Sequence, residues 1–254
     1  MRSAATLDGS TTMPEIAQVP EAPFDPNLTE RRENRWDSEL SAAPTWRPEE
    51  GPLLVVGPRP DDEIFAAGGL VSTWCTLGYP VTVVSVTDGE AANPDWVGRE
   101  HIRRTELVEA LRLLCEGPVS VVHLGLPDGK VREHVGKLFS ALSRLLSNEP
   151  TLIAPYEWNG HPDHDVTGAV CLELARLHRL PIARYPNWTR HHAEPEVFAG
   201  EHIGRFVLTP AVRQVKAAAI QAFASQPRPA NRQPTVPGKL LPYFMRNFEA
   251  FLLD

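Results

Sequence analysis

Leu53-Leu54-Val55-Val56-Gly57-Pro58-Arg59-Pro60-Asp61-Asp62-Glu63 reads as a strand that runs through a stiff turn into an acidic helix start. The apolar run Leu53–Val56 carries no charge and ends at Gly57, as a strand buried on both faces should. Val81–Val86, Val119–His123 and Thr151–Ala154 repeat the pattern. Between them lie the helical stretches Ile64–Leu77, Glu100–Cys115 and Val131–Leu146, and Val166–Leu177 follows. This alternation predicts an α/β fold, a Rossmann-like and mostly parallel sheet with helices on both faces. Sites on such sheets fall in the loops at the carboxyl ends of the strands. Residues 57–63, 87–96, 124–130 and 155–165 are therefore the loops that matter.

The chain outside these stretches is different in kind. Pro14, Pro20, Pro23, Pro26 and Pro44 crowd residues 1–48, which are expected to form an extended N-terminal arm. Phe24, Trp36 and Trp46 could pin that arm to one α/β domain over 49–254. The whole chain has 254 residues, enough to bury a sizeable core. Lys and Arg number 25 against 32 Asp and Glu, a net charge of −7 that argues against a nucleic-acid footprint. No apolar run approaches the roughly 18 residues of a membrane span. Met1–Met13 has no apolar core of a secretory signal. Cys75, Cys115 and Cys171 lie far apart without C-x-x-C spacing, and read as reduced core thiols of a cytoplasmic protein.

Two of the strand-end loops carry chemistry. Asp61-Asp62-Glu63 opens a helix, where the helix dipole alone accounts for one or two acidic groups but less easily for three in a row. Glu157-Trp158-Asn159-Gly160-His161-Pro162-Asp163-His164-Asp165 brings imidazoles and carboxylates, the usual donors of a transition-metal site. A single His is more often structural. In a doubly wound sheet, however, both loops face one crevice, and their convergence favours function. Gly57-Pro58-Arg59-Pro60 is no G-x-G-x-x-G phosphate cradle, and no G-x-S-x-G nucleophile elbow occurs.

These residues resemble the LmbE/PIG-L family of zinc-dependent de-N-acetylases. Pro58-Arg59-Pro60-Asp61-Asp62-Glu63 is similar to its P-H-P-D-D-E, and His161-Pro162-Asp163-His164 to its H-P-D-H. Thr87-Asp88-Gly89-Glu90, Arg103 with Glu106, Leu126-Pro127-Asp128-Gly129, and Pro186-Asn187-Trp188 with His191 or His192 fit further family motifs in order. The resemblance spans about residues 52–250. It implies a zinc-dependent removal of an N-acetyl group from an amino-sugar-containing small molecule. Asp61 would be the general base, and Asp62 and His164 metal ligands. His161 would steady the oxyanion or protonate the amine, oriented by Asp163. Arg103, Asp128 and His191 would meet the substrate, and Trp158 and Trp188 would flank it, although packing is the commoner role of such aromatics. The resemblance does not reach the oligomeric state.

Arg59 stands where the family has a ligand His. A guanidinium has no lone pair to give and is always charged. Three outcomes stay open on the sequence. A third ligand could be recruited from His123, His191 or His192. The guanidinium could instead occupy the metal position in a repurposed protein that binds a sugar-like ligand at Arg59 or does non-hydrolytic chemistry. Finally, Arg59 could be a change introduced into an ordinary deacetylase.

Overall fold

Residues 30–92, 97–225 and 241–254 are described by a computed structural model. Phe24, most of the expected arm and part of the loop at 87–96 lie outside these residues.

β1 (Leu53–Gly57) is buried along its whole length, and its side chains divide between two cores. Leu53 and Val55 enter one cluster, Leu54 and Val56 the other. This is the period of two of a strand covered on both faces. α2 (Asp62–Leu77), α3 (Arg99–Leu114) and α6 (Pro210–Gln221) cover the first face. α4 (Val135–Ser143) and α5 (Pro162–His178) cover the second. β1 pairs in parallel with β2 (Val81–Thr87) and β4 (Thr151–Pro155). β3 (Ser120–Leu126) and β5 (Ile182–Tyr185) extend the parallel sheet on either side. The order is β3-β2-β1-β4-β5-β7-β6, so the chain winds outward from β1 to β3 and then returns to the other side of β1. The switch point lies between β1 and β4, where α/β sheets bind their ligands. The loops that leave these two strands are the acidic and the His-containing ones.

β6 (His202–Val207) and β7 (Phe248–Leu253) add an antiparallel edge that the strand–helix alternation does not foresee. β7 carries Glu249, which is buried. Its carboxylate lies 2.6 Å from Lys216 Nζ of α6 and accepts hydrogen bonds from the Gly69 and Leu70 amides of α2. A buried carboxylate needs such partners.

Two expectations are corrected. Part of the segment expected to be extended is helical, since α1 covers Glu30–Ala42. Pro26 and Pro44 flank this stretch and no proline interrupts it. Trp36 and Leu40, one turn apart, bury against Tyr156, Phe198 and Leu252. Beyond α1, Thr45 pairs with Arg205 of β6, and Trp46 packs 5.3 Å from Phe251. The second correction concerns the thiols. Cys75 and Cys115 form a disulfide across a Cα–Cα distance of 5.4 Å, within the normal span. Only Cys171 remains a free thiol. α2 and α3 lie side by side on one face, a proximity that helical periodicity within each element does not reveal. The reading of all three cysteines as reduced thiols thus fails for two of them. Among the described residues, no helix is long and apolar enough to cross a membrane.

The disulfide closes a loop of 40 residues. Its reduction, or Cys75→Ser, should lower the unfolding free energy by about 2–4 kcal/mol in a denaturant titration. Thiol titration of the denatured chain should count one reactive group before reduction and three afterwards; three at the outset would mean that the bond is absent.

Candidate active site

The turn after β1 is tied to the next strand, because Pro58 O accepts from both the amide and the hydroxyl of Thr87. Asp61 then caps α2 with φ 155°, a backbone conformation that a side chain rarely adopts and that clusters at functional sites. Its amide donates to Glu63, whose carboxyl lies over Gly57 so closely that a Cβ at Gly57 would fall 2.3 Å from it. Glu63 is fully buried, and burial raises its pKa well above the ordinary value.

The Asp61 carboxylate meets Arg103 of α3 at 2.9 Å. The same guanidinium also donates to Pro60 O and Gly89 O. Gly89 has φ +65°, and a Cβ there would fall 1.6 Å from Arg103 Nη1. Burial pushes Asp61 up to about 6, with Arg103 opposing and the neighbouring Asp62 adding to the shift. A carboxylate near that value can both take and return a proton close to neutrality.

Asp62 faces the other way. One oxygen lies 3.2 Å from His164 Nε2 and accepts from the Arg59 amide, and the other accepts from the Trp188 indole N–H at 3.2 Å. Burial alone would raise its pKa, but His164, Arg59 and Trp188 together hold it below the usual carboxylate range. Arg59 Nη2 sits 3.1 Å from His164 Nε2, and Arg59 Nε is 3.9 Å from Asp62. His161 stands beside them, its ring centroid 5.2 Å from that of His164. His161 Nδ1 accepts from the Asp163 amide, which leaves Nε2 to carry the ring proton. Burial, with Arg59 and His164 nearby, depresses His161 to about 2. It is therefore a neutral donor, able to steady an oxyanion but not to act as an acid near neutrality.

Asp61, Asp62, His161, His164 and Arg59 thus come together, while the other expected roles change. The Asp163 carboxylate does not orient His161. It accepts from the Gly129 and Val131 amides instead, and the Asp163 backbone holds the imidazole. Arg103 is fully buried against Asp61, so it positions that carboxylate rather than meeting substrate. Asp128 accepts from the Ala91 amide while its own amide donates to Glu90, so the pair braces the loop after β2. His191 is buried against the Trp188 ring. His123 is half-buried on β3 with Arg104 and Asp88 as its charged neighbours. Trp188 is a hydrogen-bond donor to Asp62, a role its position in Pro186-Asn187-Trp188 could have suggested. Asn159 and Asp165 carry no signal of their own in the sequence. Asp165 accepts from the Asn159 and Gly160 amides, and Asn159 accepts from the Trp188 amide, which holds the two loops together.

The zinc that the family resemblance implies needs three protein ligands and an open position. Among the described residues, no group of three His, Cys, Asp or Glu side chains is placed to hold a metal ion. Asp62 and His164 supply two donors, and Arg59 points its guanidinium at both. The residues present do not fit a zinc centre of that kind.

An Asp-Asp pair from one loop and a His pair from the other thus meet at the switch point of an open α/β sheet. Residues 54–175 match the family model described as PIG-L: GlcNAc-PI de-N-acetylase. Over those residues, the chain is similar to the PIG-L family. It is 29% identical over 191 residues to a probable N-acetyl-alpha-D-glucosaminyl L-malate deacetylase 2 of Bacillus anthracis, a match over 68% of this chain and 80% of the relative. It is 28% identical over 155 residues to a 1D-myo-inositol 2-acetamido-2-deoxy-alpha-D-glucopyranoside deacetylase of Nocardia farcinica, over 50% of this chain and only 52% of the relative. Among solved structures, the conserved protein TT1542 of Thermus thermophilus superposes with a TM-score of 0.56 at 26% identity, over 78% of this chain and 92% of that one.

Arg103→Met should leave Asp61 buried without its cation and lower stability by about 3–5 kcal/mol in urea unfolding. Gly89→Ala should shift the midpoint the same way by displacing the guanidinium. An unchanged midpoint for both would show that the pair is not what holds the turn.

Proposed function

We propose that this protein hydrolyses the N-acyl amide of a small amino-sugar-containing substrate, such as an N-acetylglucosaminyl glycoside. The observation that carries this reading is the Asp61 carboxylate, fixed by Arg103 and next in the chain to Asp62, which faces Arg59 and His164, with His161 packed beside His164. Two relatives named as deacetylases of N-acetylated glucosaminyl compounds support the substrate class.

The chemistry follows from what each residue can give. One Asp61 oxygen is bound to Arg103, and the other takes a proton from a water molecule as its oxygen attacks the amide carbon. The C=O π pair moves onto the carbonyl oxygen, where N–H groups of Arg59 and His161 stabilise the developing charge. As the oxyanion collapses, the C–N bond breaks and Asp61 returns the proton to the leaving nitrogen. The products are a carboxylic acid and the free amine. Asp62 takes no proton in this scheme; held ionised, it aligns Arg59 and His164.

A second reading is favoured by the same Arg59–His164 contact. A guanidinium locked at the crevice floor suits a pocket that binds a sugar-like ligand without hydrolysing it.

Acetate release from N-acetylglucosaminyl L-malate separates the two. The hydrolase reading expects turnover that Asp61→Asn lowers by about 10²–10⁴-fold, as for loss of a general base. Calorimetric binding of the sugar with no acetate release in the wild type would favour the second reading.

A further inference from the structure

We propose that Arg59 is the permanent cation of this site, so that its guanidinium takes the place of a metal ion and the protein works without one. The proposal rests on the hydrolase reading only for its catalytic part; the claim about metal stands separately.

The argument begins with lone pairs. A ligand His meets a metal through an unprotonated ring nitrogen. Arg59 Nη2 lies 3.1 Å from His164 Nε2, and a guanidinium nitrogen has only hydrogens to offer. His164 Nε2 also lies 3.2 Å from Asp62, so the ring nitrogen that would bind a metal faces Arg59 and Asp62 instead of an open ligand position. The same holds for Asp62. One of its oxygens is turned to the Arg59 amide and the other to the Trp188 indole. Both donors that match the family's ligand set are thus already committed to hydrogen-bond donors.

Charge gives a second argument. Asp61 has Arg103 as its cation, whereas Asp62 faces Arg59, whose Nε lies 3.9 Å away. A buried carboxylate needs such a positive partner, whether an ion or a side chain. Arg59 enters from the turn beside Asp62, on a backbone whose own amide is hydrogen-bonded to the same carboxylate. A divalent ion between Asp62 and His164 would have to displace this guanidinium and then face its charge at short range. Because the Arg59 side chain is 14% exposed, the cation remains accessible from the crevice. An Arg fork aimed at an acyl oxygen can polarise it as the amide is attacked.

The test reads metal and turnover separately on the full-length chain. Zinc content is measured after purification without chelator, and zinc affinity by titration calorimetry for wild type, Arg59→His and Arg59→Lys. The expected results are substoichiometric zinc in the wild type and turnover that survives 1,10-phenanthroline. R59H should bind zinc at least about 10-fold more tightly, because even outer-sphere changes move metal affinity by roughly 10–100-fold. R59K keeps a charge but loses the planar fork, and should lose at least about 10-fold in turnover while staying zinc-free. One zinc per wild-type chain, with activity that chelation removes and zinc restores, overturns the proposal. So does an R59H protein that is folded by circular dichroism yet binds zinc no better than wild type. If R59H does not fold, the wild-type zinc content and chelator response decide alone. Zinc-free wild type with no acetate release would sink the hydrolase reading and leave the metal claim standing; chelator-sensitive acetate release would do the reverse.

Discussion

Two adjacent carboxylates cannot both be taken out of water at the head of one helix unless each has its own cation. That constraint organises the centre of this protein. Asp61 is answered from α3 by Arg103, and Asp62 from its own turn by Arg59, with the His164 ring of α5 beside it. Burial wins at Asp61, which is raised to about 6 against the pull of Arg103, whereas the partners of Asp62 outweigh burial and hold it low. Identical side chains one residue apart thus acquire different chemistry from their surroundings, as paired acids in enzymes do. The remaining features of the site serve this arrangement. Gly89 makes room for Arg103, Glu63 and Gly57 close the turn from below, and Trp188 fills the second valence of Asp62.

How much of this was legible in the sequence follows from the range of each interaction. β1, β2 and β4 were readable because burial on both faces leaves an unbroken apolar run, β3 because its half-buried strand still carries the run Val119–His123, and α2, α3 and α5 because they follow such runs. The convergence of Asp61, Asp62, His161 and His164 followed from topology, which sends both loops to one switch point. The antiparallel edge was not readable: β7 interrupts its apolar pattern with Glu249, whose partner Lys216 lies on α6, in another part of the chain. α1 was hidden by prolines that turn out to flank it. The roles of Asp163, Asp128 and Arg103 were misjudged for a common reason. Each satisfies a backbone or a buried charge in a distant loop, and residue type does not distinguish such a brace from a ligand contact. The Cys75–Cys115 bond was missed because it depends on how two helices lie against each other.

The PIG-L fold supplies a crevice and a set of acids, but the charge that makes those acids useful is a separate choice. In this chain the P-x-P turn presents Arg59, a covalently attached positive charge, to Asp62 and His164. An attached cation has fixed stoichiometry and one direction of approach, and its strength is set by the carboxylates around it. The crevice is preorganised by its own sequence.

The tether between Glu249 and α2 has a consequence for how distant parts of the chain share one task. The amides of Gly69 and Leu70 are held by a side chain from the final strand, and that side chain is itself held by Lys216. α2 begins at the turn that carries Asp61 and Asp62, so the helix behind the candidate site is anchored to β7. β7 therefore works as a keystone: the helix that carries Asp62 is registered against a strand added to the sheet after all the parallel ones.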